Sequence, residues 1–223
     1  FSEMFDVVIT SLNQLIIIDE PMLKSDIILN IDPKKEQDII NENFEGKLDS
    51  KLNWFCEPSY WKIDEGMLNI KTDPISDFWQ RTYYGFRNDN AHMLYADISS
   101  DITMVAKFHF YPVHQFDQSG LIVRIDEDNW IKTSIEYEIG CPPKLGCVVT
   151  NLGFSDWSST QDDSNITEAT YKITRIGQDY LLQYLEKGEW IQLRVCHLHN
   201  PSKSVKAGIY CCSPIDSGYE VQV

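Results

Sequence analysis

From Phe44 to the C-terminus the chain is a succession of strand-like runs broken by turn residues, and this pattern constrains the fold more than any other feature. Gly66-Met-Leu-Asn-Ile-Lys71 alternates apolar and polar residues, as a half-buried strand does. Ile102–Tyr111 (ITMVAKFHFY) is rich in β-branched and aromatic residues. Further runs follow at Gly120–Ile125, Trp130–Tyr137, Gly146–Thr150, Thr170–Ile176, Asp179–Leu185, Trp190–His197 and Val205–Tyr210. Between them stand turns such as Asp126-Glu-Asp-Asn129, Gly140-Cys-Pro-Pro143 and Gly177-Gln178. Strands recurring about every 8–15 residues, with almost no helical period, predict an all-β sandwich or barrel.

The residues ahead of Phe44 read differently. Ile16-Ile17-Ile18 and Ile27-Ile28-Leu29 are short aliphatic runs. Asp32-Pro33 has the form of a helix start, with Asp as N-cap, Pro at the first helical position and PKKEQDIINEN behind it. The reading is an N-terminal extension over residues 1–43, partly helical, ahead of a β-domain over 44–223.

A formal charge of −15 and a pI near 4.6 argue against nucleic acid as a partner, because phosphate binding rests on Lys and Arg. The longest apolar run, Leu15–Ile18, is far too short to cross a membrane. The six cysteines lack CxxC pairs and the spacing of a secreted framework, so they read as reduced packing residues of a cytoplasmic protein. Cys211 and Cys212, adjacent on a strand run, are expected on opposite faces. Asn165-Ile-Thr is a glycosylation sequon that matters only in a secreted protein.

The hairpin Gln118–Tyr137 is the most informative unit for function. Gln118, Gly120, Ile122 and Arg124 share one strand face, and Trp130, Lys132, Ser134 and Glu136 share one face of the next. Amide, charge and ring interleaved on one surface suit a polar ligand such as a sugar. An ordinary exposed sheet face with cross-strand ion pairs accounts for the same pattern. In Asp77–His92 (DFWQRTYYGFRNDNAH), a continuous strand would put Trp79, Arg81 and Tyr83 on one face, and Gln80, Thr82 and Tyr84 on the other. Asp156 and Trp157, in Ser155-Asp-Trp-Ser158, have a recognition-like composition on an expected loop.

For catalysis, Glu136 and Glu138 stand two apart on one strand, about 7 Å from each other. That separation falls between those of retaining and inverting glycosidases. Asp126–Asn129 has calcium-friendly oxygens but lacks the glycine and distal glutamate of a hand loop. His197 and His199 share a strand-end face without two further ligands at a zinc-like spacing. The sequence points to no metal and no cofactor: it holds no nucleotide-binding glycine loop, no HExxH and no nucleophile elbow.

Three segments together carry a resemblance: Asp77-Phe-Trp-Gln-Arg-Thr-Tyr-Tyr-Gly-Phe86, Gln118–Tyr137, and Val148-Val-Thr-Asn151 followed by Ser155-Asp-Trp-Ser158. Their order resembles the domain-of-unknown-function family to which the yeast regulation-of-enolase protein belongs. Ala207–Pro214 and Gly218–Val221 look like that family's closing strands. The resemblance runs from about Phe44 onward and does not include the N-terminal extension. It implies a concanavalin A-like jelly-roll sandwich, a fold shared by lectins, glucanases and accessory domains of glycoside hydrolases. The family motifs fall on the mixed polar–aromatic faces. The expected ligand-binding residues are therefore Trp79, Arg81, Gln118, Lys132, Glu136, Asp156 and Trp157. The expected role is non-catalytic binding of a sugar-like metabolite, or of a glycolytic enzyme such as enolase. The alternative is a glycoside-acting hydrolase or lyase built on Glu136 and Glu138. The sequence leaves the oligomeric state open.

Overall fold

The computed structural model describes residues 15–18, 38–161, 166–216 and 218–223. In chain order the strands are β1 (Leu15–Ile18), β2 (Asp38–Glu42), β3 (Asn53–Phe55), β4 (Tyr60–Asp64), β5 (Met67–Lys71) and β6 (Phe78–Gln80). They continue as β7 (Arg87–Asp89), β8 (His92–Ile98), β9 (Ile102–Tyr111), β10 (Gln118–Asp126), β11 (Asn129–Glu136) and β12 (Lys144–Asn151). The last are β13 (Phe154–Gln161), β14 (Glu168–Ile176), β15 (Asp179–Glu186), β16 (Glu189–His197), β17 (Val205–Cys212) and β18 (Glu220–Gln222). No helix occurs among the described residues.

Two antiparallel sheets form the sandwich. One is seven-stranded, in the order β13-β12-β11-β10-β17-β8-β3. The other is nine-stranded: β16-β15-β14-β9-β18-β5-β4 form its path, and β1 joins at β9 with β2 beside it. Alternation explains what lies between them. Leu121, Val123, Ile131 and Ile135 of the first sheet meet Met104, Phe108, Tyr171 and Ile173 of the second in one buried cluster. Cys211 joins this cluster and Cys212 lies on the opposite face, as adjacent strand residues must.

Two expectations change. The helix-like stretch behind Asp32-Pro33 lies partly outside the described residues, and Asp38–Glu42 within it is strand β2, pairing with β1. Over Asp38–Glu42 tertiary pairing overrides the helical pattern. Ile40, ahead of the anticipated boundary at Phe44, is buried in the sandwich core. The second change concerns Asp77–His92, which is not one strand. β6 ends at Gln80, and β7 pairs back onto it through Phe78↔Asp89 and Gln80↔Arg87. Arg81 and Tyr83 have φ of 55° and 63°, in the left-handed region, so strand alternation stops there.

Candidate functional site

The β10–β11 register puts Gln118 opposite Glu136, Ile122 opposite Lys132 and Arg124 opposite Trp130. Lys132 in turn faces Val148 of β12, which faces Trp157 of β13. These side chains point away from the sandwich core. The β6–β7 hairpin is laid over them, and a second, smaller core forms beneath it from Phe78, Met93, Ile122, Trp130, Val148, Tyr210 and Cys212. Phe78 is its wedge, with ring centroids 5.7 Å from Trp130, 6.2 Å from Tyr210 and 6.1 Å from Phe55. Arg124 pairs with Asp89 of β7 at 2.5 Å and lies over the Phe55 ring, fixing the other hairpin strand.

Lys132 sits at the centre and is only 2% exposed. Its ammonium donates to the Phe78 carbonyl at 2.9 Å and to Gln118 Oε1 at 2.7 Å. Asp77 Oδ1 stands 3.8 Å away, and the Tyr210 and Trp130 rings flank the charge at 5.1 and 5.6 Å. Tyr210 donates its hydroxyl to the same Gln118 oxygen at 3.1 Å, and the Gln118 amide donates to the Phe116 carbonyl. Burying an ammonium is costly unless it is paired and hydrogen-bonded, and this one is both.

The electrostatics follow from that burial. Desolvation pushes the Glu136 carboxyl up to about 7; Asp77 and Glu138 add to the rise, while Lys132 and Lys144 oppose it. Desolvation also raises Asp77 against the pull of Lys132, and it raises the Tyr210 phenol and the Cys212 thiol. Lys132, Gln118 and Tyr210 are occupied with one another. Two groups on the same face are not. The Glu136 carboxylate is paired with no hydrogen-bond donor among the described residues. Ser134 Oγ is fully buried and has no partner. Ser134 faces Gly146 across the ladder, and a Cβ at Gly146 would lie 2.6 Å from the Ser158 carbonyl and 2.9 Å from the Trp157 ring. Glycine at that position lets the Trp157 ring lean in beside Ser134.

The anticipated residues therefore divide. Gln118, Lys132 and Glu136 come together, with Trp157 on the same face. Trp79 packs against the outer core with its ring N–H spent on the Thr82 carbonyl. Arg81 does not join: its guanidinium donates to the Gly153 carbonyl at 3.2 Å and lies over the Phe154 ring. Asp156 is directed to the opposite face, as the immediate strand neighbour of Trp157 must be. There it pairs with Arg194 at 2.9 Å and lines a groove of about 410 Å³ with Val149, Phe154, Val195 and His197. Glu138 is held by Lys144 Nζ at 2.5 Å, so it is not a free partner for Glu136. His197 Nδ1 lies 2.6 Å from Asp179, and no group of three or more His, Cys, Asp or Glu among the described residues is placed to hold a metal. Sequence reasoning missed Asp77, Ser134 and Tyr210 as members of the cluster. Ser134 was already on the right face, and its small hydroxyl among large neighbours was the available signal.

The family model described as "Protein of unknown function (DUF1349)" matches residues 54–223. The protein of Saccharomyces cerevisiae called "Regulation of enolase protein 1" is 30% identical over 173 residues, 77% of this chain and 86% of that one. A crystal structure of a functionally unknown protein from Saccharomyces cerevisiae superposes with a TM-score of 0.71 at 29% identity, covering 78% of this chain and 92% of that one. The GH43 protein BlXynB of Bacillus licheniformis shares the fold alone, with a TM-score of 0.63 at 15% identity over 81% of this chain and 37% of that one. The two antiparallel sheets and these superpositions bear out the expected all-β sandwich. With its family model, its yeast relative and its fold in agreement, the chain belongs to the DUF1349 family.

Proposed function

We propose that the chain is a non-catalytic, cytoplasmic regulatory protein of carbohydrate metabolism, which receives a polar, sugar-like ligand at the Glu136 end of the covered face. One observation carries this reading. In a cluster whose other polar groups are satisfied internally, the Glu136 carboxylate and the buried Ser134 hydroxyl are left over, two positions apart on one strand face. A carboxylate and a hydroxyl on alternate residues, about 7 Å apart along the strand, suit two separate hydroxyls of one sugar, and Trp157 offers a ring beside them. Lys132 and Gln118 brace the site and the hairpin above it. The relative named for regulation of enolase supports enolase as the protein partner, with the small ligand tuning that contact.

The test is calorimetry of the well-folded chain against a panel of hexoses, pentoses and their phosphates, with and without purified enolase. Saturable binding that Glu136→Gln abolishes is the expected result. Silence across the whole panel and with enolase would overturn the proposal. A second reading, a glycoside hydrolase or lyase, draws on one observation: a carboxyl near 7 suits a general acid. The second carboxylate expected for it, Glu138, is spent on Lys144. Turnover of aryl-glycosides that disappears in Glu136→Gln would replace the binding reading with this one.

A further inference from the structure

The tip of the β6–β7 hairpin lies at the opposite end of β10 and β11 from Glu136. There Arg87 reaches Asp128 in the β10–β11 turn at 2.9 Å, and Arg81 reaches Gly153 in the β12–β13 turn. Residues 81–86 hold an unusual number of exposed rings. Tyr83 is 94% exposed, Tyr84 64% and Phe86 45%. The rings are ordered against one another. Tyr84 lies 5.8 Å from Phe86 with planes 19° apart, meets Tyr83 edge-on at 5.1 Å, and contacts Trp79 at 5.6 Å.

The backbone beneath them is over-determined. Arg81 N–H donates to the Phe86 carbonyl at 2.8 Å, Gly85 N–H to the Arg81 carbonyl at 2.7 Å, and the Trp79 ring N–H to the Thr82 carbonyl at 3.1 Å. Arg81 and Tyr83 hold left-handed φ values of 55° and 63°, a strained conformation for residues that carry side chains. Docking of Arg81 depends on Gly153, because a Cβ there would lie 2.3 Å from the Arg81 guanidinium. A strained, hydrogen-bonded turn that holds large rings out into water is preorganised, and preorganisation favours binding rather than stability.

We propose that this ring cluster is a second ligand site, which takes an uncharged oligosaccharide stacked by its C–H faces on Tyr84 and Phe86. Three arguments select that class. The exposed parts of the three rings amount to roughly 400 Å², at about 200 Å² per ring. That is about half of the ~800 Å² each partner buries in a standard protein interface, and it suits a small ligand. The two guanidiniums nearest the rings are already engaged, Arg81 by Gly153 and Arg87 by Gln80 and Asp128, so no spare cation awaits a phosphate or carboxylate. The chain's charge of −15 further disfavours polyanions. What the tip offers is flat aromatic surface edged by phenolic hydroxyls, which matches a pyranose with apolar faces and a polar rim. The site is separate from the Glu136 face and does not rest on it.

The test titrates the full chain with cellohexaose, xylohexaose, maltohexaose and, as a control, decaproline, following ring fluorescence and amide chemical shifts. At least one hexasaccharide is expected to give a saturable change with shifts centred on residues 81–86. Tyr84→Ala weakens it about tenfold, the loss of one well-made ring contact, while Tyr84→Phe and Glu136→Gln leave it in place. The exposure of Tyr84 makes an unchanged melting temperature the check that the variant is folded. Absence of a saturable response to all three sugars overturns the proposal. So does binding that survives in Tyr84→Ala, binding lost in Glu136→Gln alone, or a response to decaproline in place of the sugars.

Discussion

The two faces of the seven-stranded sheet are built from the same strands and the same pleat, yet they are buried by different means. On the inner face, Leu121, Val123, Ile131, Ile135 and Ile209 meet a second full sheet, and apolar area holds the layers together. On the outer face, Gln118, Arg124, Lys132 and Tyr210 meet a hairpin with strands of three residues each. So small a cover contributes little area. Its position is set instead by directed contacts: Lys132 to the Phe78 carbonyl, Arg124 to Asp89, and Gln80 N–H to Ser155 Oγ. Area is indifferent to register, whereas donors and acceptors are not. The outer face thus gives up some stability for one defined placement of the hairpin, and it is the face that keeps polar groups unspent.

The contrast can be broken at its strongest point. Lys132→Ala leaves Gln118 Oε1 with Tyr210 as its one remaining donor, takes the ammonium from the Phe78 carbonyl and leaves Asp77 without its counter-charge. Removing one partner of a buried charged pair costs about 3–5 kcal/mol. Urea unfolding monitored by Trp fluorescence should show that loss, with amide exchange rising first across residues 78–89. Lys132→Met keeps the stem and removes the charge, so it should recover part of the stability but not the protection of the hairpin. If Lys132→Met protects the hairpin as well as Lys does, directed contacts do not place it.

Next in size is a pH effect carried by Glu136. Its folded value of about 7 lies above the ordinary 4.5, so the folded state binds its proton more tightly than the unfolded chain does. The sign follows from linkage. The neutral carboxyl is no burden below about 4.5, the penalty grows through the interval, and it is complete above about 7, with a ceiling near 3 kcal/mol at 1.36 per pH unit. Lys132, Asp77, Glu138 and Lys144 are the charged groups that face it, and the raised Asp77 acts in the same direction. Glu136→Gln should flatten the fall in stability between pH 5 and 8, read as melting temperature against pH. An equal fall in wild type and variant would locate the effect elsewhere. On the inner face the corresponding change is smaller and independent of pH: Ile131→Val removes one methylene, at about 1 kcal/mol.

How far the sequence discloses this arrangement depends on distance along the chain. Period-two alternation and the short Asp126–Asn129 turn fix the β10–β11 register, so Gln118, Lys132 and Glu136 could be grouped on one face without a structure. Tyr210 lies 92 residues from the Gln118 oxygen it donates to, and Asp77 stands just ahead of β6, outside the sheet that carries Lys132. No local pattern links them. Alternation cannot place Arg81, because the left-handed Arg81 and Tyr83 end the strand after Gln80. The expected loop at Asp156 and Trp157 is strand β13, where immediate neighbours face opposite ways, so the two cannot share a site. At the N-terminus the short aliphatic run Ile16–Ile18 is compatible with a strand, but its pairing is not local: β1 is completed by β9 on one side and β2 on the other.

The smallest effect is the most discriminating, because stability and binding should move in opposite directions. Ser134 Oγ is buried without a partner, and an unsatisfied buried hydroxyl costs about 1–3 kcal/mol. Val148 on the same face shows that apolar side chains are accepted there. In the ligand-free protein Ser134→Ala should therefore be neutral or stabilising by up to about 1 kcal/mol, since it removes the orphaned group and leaves only a small void. Inner-face Thr133, whose hydroxyl accepts the Leu121 N–H at 2.9 Å, is the control, and Thr133→Val should destabilise by about 1 kcal/mol. If Ser134 is retained to meet a ligand hydroxyl, the Ala variant should lose affinity for whatever binds beside Glu136 while its melting temperature holds or rises. A variant that loses stability instead has lost a structural hydrogen bond, to an ordered water or to a rotated neighbour. The hydroxyl then belongs to the outer core rather than to a binding site.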